Sequence, residues 1–262
     1  MSMLARIQRG VVARPPRLVL YGTPGIGKST FGAQTPKPIF LPTEDGLDQI
    51  DCERFPLATK YEDVSAALNE LRTDQHEYET VVLDSGDWLE RLIFDRVCAD
   101  FGVKNIEKAD GGYARGYIHA LNYWREVIDL LNALRDQRGM VVLIIAHTKI
   151  EKFEDPEVPP FDRYSPRLNK HAASLITEWA DAVLFATRKL RTQTDDAGFG
   201  RKRTIAHAVG KDGGERIIRT VGGPTCLAKN RYSLTEELPL SWAAFVAALS
   251  NHNPNPGEQS NG

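Results

Sequence analysis

Residues 22–30 read GTPGIGKST and satisfy the spacing G-x-x-x-x-G-K-[ST] at Gly22, Gly27, Lys28 and Ser29. Glycines so placed let the backbone wrap an anion with its N–H groups turned inward. The lysine then reaches the β- and γ-phosphates of a nucleotide, and the following hydroxyl serves Mg2+. The expected nucleotide contacts are Gly22, Thr23, Pro24, Gly25, Ile26, Gly27, Lys28, Ser29 and Thr30. Mg2+ also calls for a carboxylate. The apolar run 81–83 ends on Asp84, the position from which a strand-end acid reaches the ion; the plainer alternative is an Asp that caps the next helix.

Hydrolysis needs a further carboxylate to orient or deprotonate water. The residue directly after Asp84 is Ser85, so that acid must come from elsewhere. Glu44 is the leading candidate. It lies just past the apolar run 39–41, and strand C-terminal ends gather at the ligand edge of a parallel sheet. Asp45, Asp87 and Glu90 are the alternatives. His147 closes the run VVLIIAH at the same edge, either as a sensor of the γ-phosphate or as a histidine hydrogen-bonded at a strand end.

These side chains need a scaffold, and the pattern of the chain supplies one. Short apolar runs at 18–21, 39–41, 81–84 and 141–147 read as buried strands. Helical stretches are expected from Lys28, over 61–73 with its apolar positions at Val64, Ala67, Leu68 and Leu71, and near 117–138. Strands alternating with helices predict an α/β fold with a mostly parallel sheet. After residue 180, DAVLFATRKLR, TIAHAVG and RIIRTV are separated by turn-rich DDAGFGR and KDGGE. They read as an antiparallel meander extending the sheet. An amphipathic helix is expected over 238–249. The domain layout follows: an N-terminal arm at 1–16, one domain at 17–250 and a disordered tail at 251–262.

Composition narrows the classes. The net charge is −2 and the pI about 6.3, so bulk charge does not mark a nucleic-acid binder and any such site must be a local patch. Cys52, Cys98 and Cys226 are widely spaced and suggest neither zinc nor disulfides. No apolar run approaches a membrane span, and the expectation is a soluble, cytoplasmic protein without membrane contact.

These parts in this order resemble the RecA-like P-loop ATPase core, and most of all the small bacteriophage ATPases related to single-strand annealing and recombination. The resemblance covers roughly residues 17–235. It implies ATP and Mg2+ as ligands, Glu44 as the catalytic carboxylate and His147 as the sensor. It also implies that Lys229 and Arg231 in LAKNRYSL act as a pair on the nucleotide of a neighbouring subunit, hence self-association with ATP at subunit interfaces. If the chain is phage-encoded, the compartment is the host cytoplasm. No guanine-reading N/T-K-x-D motif is present, which favours ATP.

Two loops stand where RecA-like cores hold single-stranded DNA. The stretch 101–117 offers Lys104, Lys108, Tyr113, Arg115 and Tyr117, and the stretch 148–171 offers Arg163, Tyr164, Arg167 and Lys170. Cations interleaved with aromatics suit phosphate contact and base stacking. Ordinary surface loops are the alternative, since the second stretch holds five acids beside five bases. The expected function is ATP binding and hydrolysis by a protein acting on single-stranded DNA in phage-type recombination or annealing. A helicase-like or helicase-loading motor, and a regulatory ATPase without nucleic acid, are the other readings.

Overall fold

The computed structural model describes residues 3–7, 10, 12–196, 202–208 and 214–252. Its centre is built from strands whose two faces are both apolar. In β1 (Arg17–Gly22), Leu18 and Leu20 point to one side and Val19 and Tyr21 to the other, and all four are fully buried. The same two-sided pattern recurs in β2 (Pro38–Pro42), β4 (Thr80–Asp84) and the first half of β5 (Val141–Asp155). This is what a parallel sheet covered on both faces requires.

A two-residue edge strand, β3 (Glu53–Arg54), precedes β4 in the chain; beyond β5 come β6 (Val158–Pro166), β7 (Ala182–Arg188), β8 (Leu190–Asp196), β9 (Lys202–Ala208), β10 (Arg216–Arg219), β11 (Lys229–Asn230) and β12 (Glu237–Pro239). The main sheet runs β12-β10-β7-β1-β5-β4-β2-β3. The strands from β7 to β3 are mutually parallel, and β10 and β12 extend the sheet antiparallel. This is the α/β arrangement expected from the sequence, a mostly parallel sheet flanked by helices with antiparallel strands added at one edge. One face carries α1 (Lys28–Ala33) and α6 (Trp242–His252), whose Phe31 and Phe245 pack on the sheet. The other carries α2 (Tyr61–Thr73), α3 (Gly86–Asp100), α4 (Arg115–Arg138) and α5 (Lys170–Trp179), with Trp124 of α4 fully buried among them. Among the described residues no helix is long and apolar enough to cross a membrane.

Several elements differ from the sequence expectation. The strand predicted to stop at His147 runs on to Asp155 and pairs with β6, so most of 148–171 is a β-hairpin followed by the start of α5. Opposite charges stand at facing positions of the two strands: Glu151 opposite Arg163 and Lys152 opposite Asp162, while Phe153 faces Phe161 with ring centroids 5.4 Å apart. Such opposite-sign and aromatic pairs are what stabilises a ribbon. The expected meander divides. β7 is parallel to β1, β8 and β9 pair with each other in a separate ribbon, and β10, β11 and β12 add to the sheet antiparallel. The C-terminal helix begins at Trp242 rather than 238, because Leu238 and Pro239 belong to β12 and Ser241 caps the helix by accepting from Ala244 N. That helix reaches His252, two residues into the expected tail; 253–262 lie outside the described residues. In the expected arm, Met3–Arg6 forms a 3-10 turn.

The α3–α5 contact is polar at its centre. The buried Glu90 carboxylate accepts from Asn169 N, the N-cap of α5, at 2.8 and 3.1 Å. Burial pushes its carboxyl up to about 7, against the usual 4.5. A carboxyl raised in the folded state contributes its stability below the unfolded value and loses it as pH rises through the folded one. Relative to Glu90→Gln, the wild type is therefore expected to lose on the order of 3 kcal/mol between about pH 4.5 and pH 7. Denaturant unfolding of both proteins across that range measures it, and a pH-independent difference contradicts it.

Candidate nucleotide site

The register of the parallel strands brings the predicted groups to one edge. Gly22 at the end of β1 lies opposite His147 in β5 and Ala186 in β7, while Asp84 at the end of β4 lies opposite Ile145 and Pro42. Two glycines meet specific demands. A Cβ on Gly22 would stand 2.4 Å from the Ala186 carbonyl oxygen, so only glycine lets β1 turn into the loop there. Gly27 has φ 110°, in the left-handed region that favours glycine, just before α1.

The loop places Lys28 inward. The side chain is buried, and its Nζ donates to the carbonyls of Gly22 (3.2 Å) and Thr23 (3.1 Å). Burial lowers its pKa, opposed by the nearby charges of Asp84 and Glu44. Ser29 Oγ donates to Asp84 Oδ2 at 2.6 Å. Asp84 is buried and its pKa is raised by desolvation, against the Ser29 hydrogen bond and the Lys28 charge. The peptide bond after it, Asp84–Ser85, is cis.

Glu44 reaches the same pocket by a route the sequence did not display. Thr43 N donates to the Asp84 carbonyl (2.8 Å), Thr43 Oγ1 donates to the Ser85 carbonyl (2.6 Å), and Ser85 N donates back to Thr43 Oγ1 (2.9 Å). These bonds lock the end of β2 to the end of β4 and carry Glu44 to the pocket wall. Desolvation raises the Glu44 pKa, opposed by His147. Asp45 lines the pocket as well; Asp87 and Glu90 do not.

Half-buried His147 and buried Asp87 form one unit. Asp87 accepts from His147 N at 2.9 Å, and His147 Nδ1 lies 3.2 Å from both its carboxylate oxygens. Burial alone would raise Asp87, but hydrogen bonds from His147 and Arg167 hold it far below the usual carboxylate range. An ionised carboxylate only accepts, so Nδ1 carries the proton. Glu44 Oε1 stands 3.9 Å from the same nitrogen.

Lys28, Ser29, Glu44, Asp84 and His147 thus surround a pocket of about 360 Å3, which Arg216 also lines. The donor set fits a nucleotide with Mg2+. Among the described residues no cluster of three or more His, Cys, Asp or Glu could hold a metal alone. Mg2+ is ordinarily held by one or two side chains together with substrate phosphates, and here Ser29 and Asp84 would be those side chains.

Other predicted residues lie elsewhere. Lys229 and Arg231 sit at the opposite edge of the sheet, since β11 pairs with the start of β7. Lys229 Nζ donates to the Glu178 carbonyl at 3.1 Å, and Arg231 donates to Asp181 Oδ1 and the Glu178 carbonyl, each at 3.1 Å. In the stretch 101–117, Lys104, Lys108 and Arg115 are exposed, Tyr113 is 94% exposed, and Tyr117 packs half-buried on Phe94. Three of the residues expected from the stretch 148–171 have partners within the chain. Tyr164 stacks on Phe185 at 5.1 Å, Arg163 lies 4.0 Å over the Phe153 ring, and Arg167 pairs with Asp87. Intramolecular partners occupy all three; Lys170, the first residue of α5, is exposed. Arg216 was missed because RIIRTV reads only as a strand; its place depends on β10 running antiparallel.

Known proteins bear on this geometry. SPbeta prophage-derived uncharacterized protein YorG of Bacillus subtilis (strain 168) is 22% identical over 172 residues, covering 64% of this chain and 49% of that protein. The chain therefore spans about half the length of this curated relative. The crystal structure of the RadB recombinase aligns with a TM-score of 0.46 at 10% identity, covering 86% of this chain and 88% of that one. The family model AAA_24, described as an AAA domain, matches residues 14–232. That span contains the whole pocket, and the chain belongs to this AAA domain family of P-loop nucleotide triphosphatases.

Proposed function

We propose that this protein binds ATP with Mg2+, hydrolyses it, and acts on single-stranded DNA in phage-type recombination or annealing. The observation that carries the ATPase reading is the convergence of Lys28, Ser29, Asp84 and Glu44, from three strand ends, on one pocket. Lys28 exchanges its backbone carbonyls for phosphate oxygens and steadies their charge. Mg2+, when bound, neutralises the phosphates. Glu44 lines the same pocket, its carboxyl raised by burial toward the basicity that a proton acceptor needs. His147 orients beside it, held in one tautomer by Asp87.

Two observations favour a nucleic-acid partner. The exposed groups Lys104, Lys108, Tyr113 and Arg115 offer phosphate contact and a stacking platform. The pocket is also linked mechanically to the β5–β6 hairpin, because Arg167 N donates to the His147 carbonyl at 2.8 Å while its guanidinium holds Asp87. A shift of His147 on nucleotide binding would therefore move the hairpin base. The prophage origin of the relative supports a phage-type setting. Lys229 and Arg231, remote from the chain's own pocket, fit a role at a neighbouring subunit's nucleotide.

Lys28→Ala is expected to abolish ATP turnover, while Glu44→Gln keeps ATP binding and slows hydrolysis on the order of 10²-fold or more. Steady-state phosphate release and equilibrium ATP binding measure both; unimpaired turnover in Glu44→Gln would give the role to another acid.

Single-stranded DNA is expected to stimulate hydrolysis, and Tyr113→Ala to weaken DNA binding about 5- to 150-fold, the range of one lost base stack. Anisotropy titrations with a labelled oligonucleotide and a non-hydrolysable ATP analogue test this. An active ATPase indifferent to DNA would favour the regulatory reading without nucleic acid.

A further inference from the structure

Arg216 is a cation at the nucleotide edge that none of the expected functions uses. Its position follows from strand direction. β10 runs antiparallel to β7, with Ile218 opposite Ala186 and Arg216 opposite Arg188. Ala186 in turn lies opposite Gly22. Arg216 therefore stands two residues beyond the level at which the phosphate loop begins, about 7 Å toward the pocket side. The backbone there is fixed, since Arg216 O accepts from Leu240 N at 3.0 Å and Glu215 O accepts from Lys189 N at 2.8 Å.

The side chain leans over the loop. A Cβ placed on Gly27 would lie 3.1 Å from Arg216 Nη1, and Arg216 forms part of the pocket wall. Among the described residues its guanidinium has no hydrogen bond or ion pair. Arg219, on the same strand, shows the contrast: it donates to Thr225 Oγ1 at 2.9 Å and lies 3.7 Å from Glu237. The pocket thus holds two cations, Lys28 from the loop and Arg216 from β10. The guanidinium, exposed and without a carboxylate, presents a planar fork of donors matched to phosphate oxygens.

We propose that Arg216 is a nucleotide-binding residue that contacts, from within the same chain, the phosphates common to ATP and ADP. The choice of phosphates follows from its neighbour: Arg216 abuts Gly27 of the loop, and the N–H groups of such a loop cradle the α- and β-phosphates that ATP and ADP share. The assignment rests on the ATP site proposed above.

Equilibrium binding of fluorescent ATP and ADP to wild type, Lys28→Ala, Arg216→Ala and Arg216→Lys tests it, with thermal unfolding without nucleotide as the folding control. Arg216→Ala is expected to weaken both nucleotides by the same factor, about 10-fold or more for a charge-assisted contact. Arg216→Lys should recover part of that loss, and the nucleotide-free melting temperature should not move. A wild type that binds neither nucleotide overturns the site as a whole. A wild type that binds both, beside an Arg216→Ala that binds both equally well or loses only ATP, overturns the Arg216 assignment alone.

Discussion

The site is organised by the 2.6 Å hydrogen bond from Ser29 Oγ to Asp84 Oδ2. It joins the first turn of α1 to the end of β4, although β5 lies between β1 and β4 in the sheet. The bond is possible only because all three strands are parallel and in a register that ends them together. A buried carboxylate is costly unless it is hydrogen-bonded and charge-compensated. Asp84 has Ser29 and, more distantly, Lys28 for this purpose, and its raised pKa records that the compensation is incomplete. A divalent cation beside Ser29 would complete it. The sheet and the loop thus express one constraint, and the Thr43–Ser85 bonds bring Glu44 to the same pocket.

A second unit lies next to the first. Asp87 binds the backbone and ring of His147 and the guanidinium of Arg167, so one ionised carboxylate ties together α3, β5 and the end of the β5–β6 hairpin. Arg167 supports this buried acid rather than lying free on the surface. At the far edge of the sheet Asp181 plays a similar part, accepting from Arg17, Arg135 and Arg231. Arg231 is therefore anchored within its own chain. To reach a neighbouring subunit's phosphate it would exchange one anion for another.

Local features were legible in the sequence, and relational ones were not. The phosphate loop, Asp84 and the central strands were readable because each depends on a short run: glycine spacing, or four apolar residues that fill both faces of a sheet. Glu44 and His147 followed from the rule that parallel strands end at one edge. The hairpin after His147 looked like a polar loop, because its charges and aromatics make sense only when Glu151 meets Arg163 and Phe153 meets Phe161 across the ribbon. Helix α3 was obscured by acids on its buried side, Asp87 and Glu90, which interrupt the apolar stripe and are buried for their partners. Arg216 could not be located before the direction of β10 was known.

The central claim is that Asp84, held by Ser29, serves the metal on which hydrolysis depends. The most direct measurement is a Mg2+ titration of ATP hydrolysis in the wild type and in Asp84→Asn, with ATP binding measured separately in both. The account requires Asp84→Asn to retain ATP binding without Mg2+, since Lys28 and the loop backbone are untouched, and to lose Mg2+-dependent turnover on the order of 10²-fold or more. Wild-type Mg2+ dependence and turnover in a folded Asp84→Asn protein would contradict it.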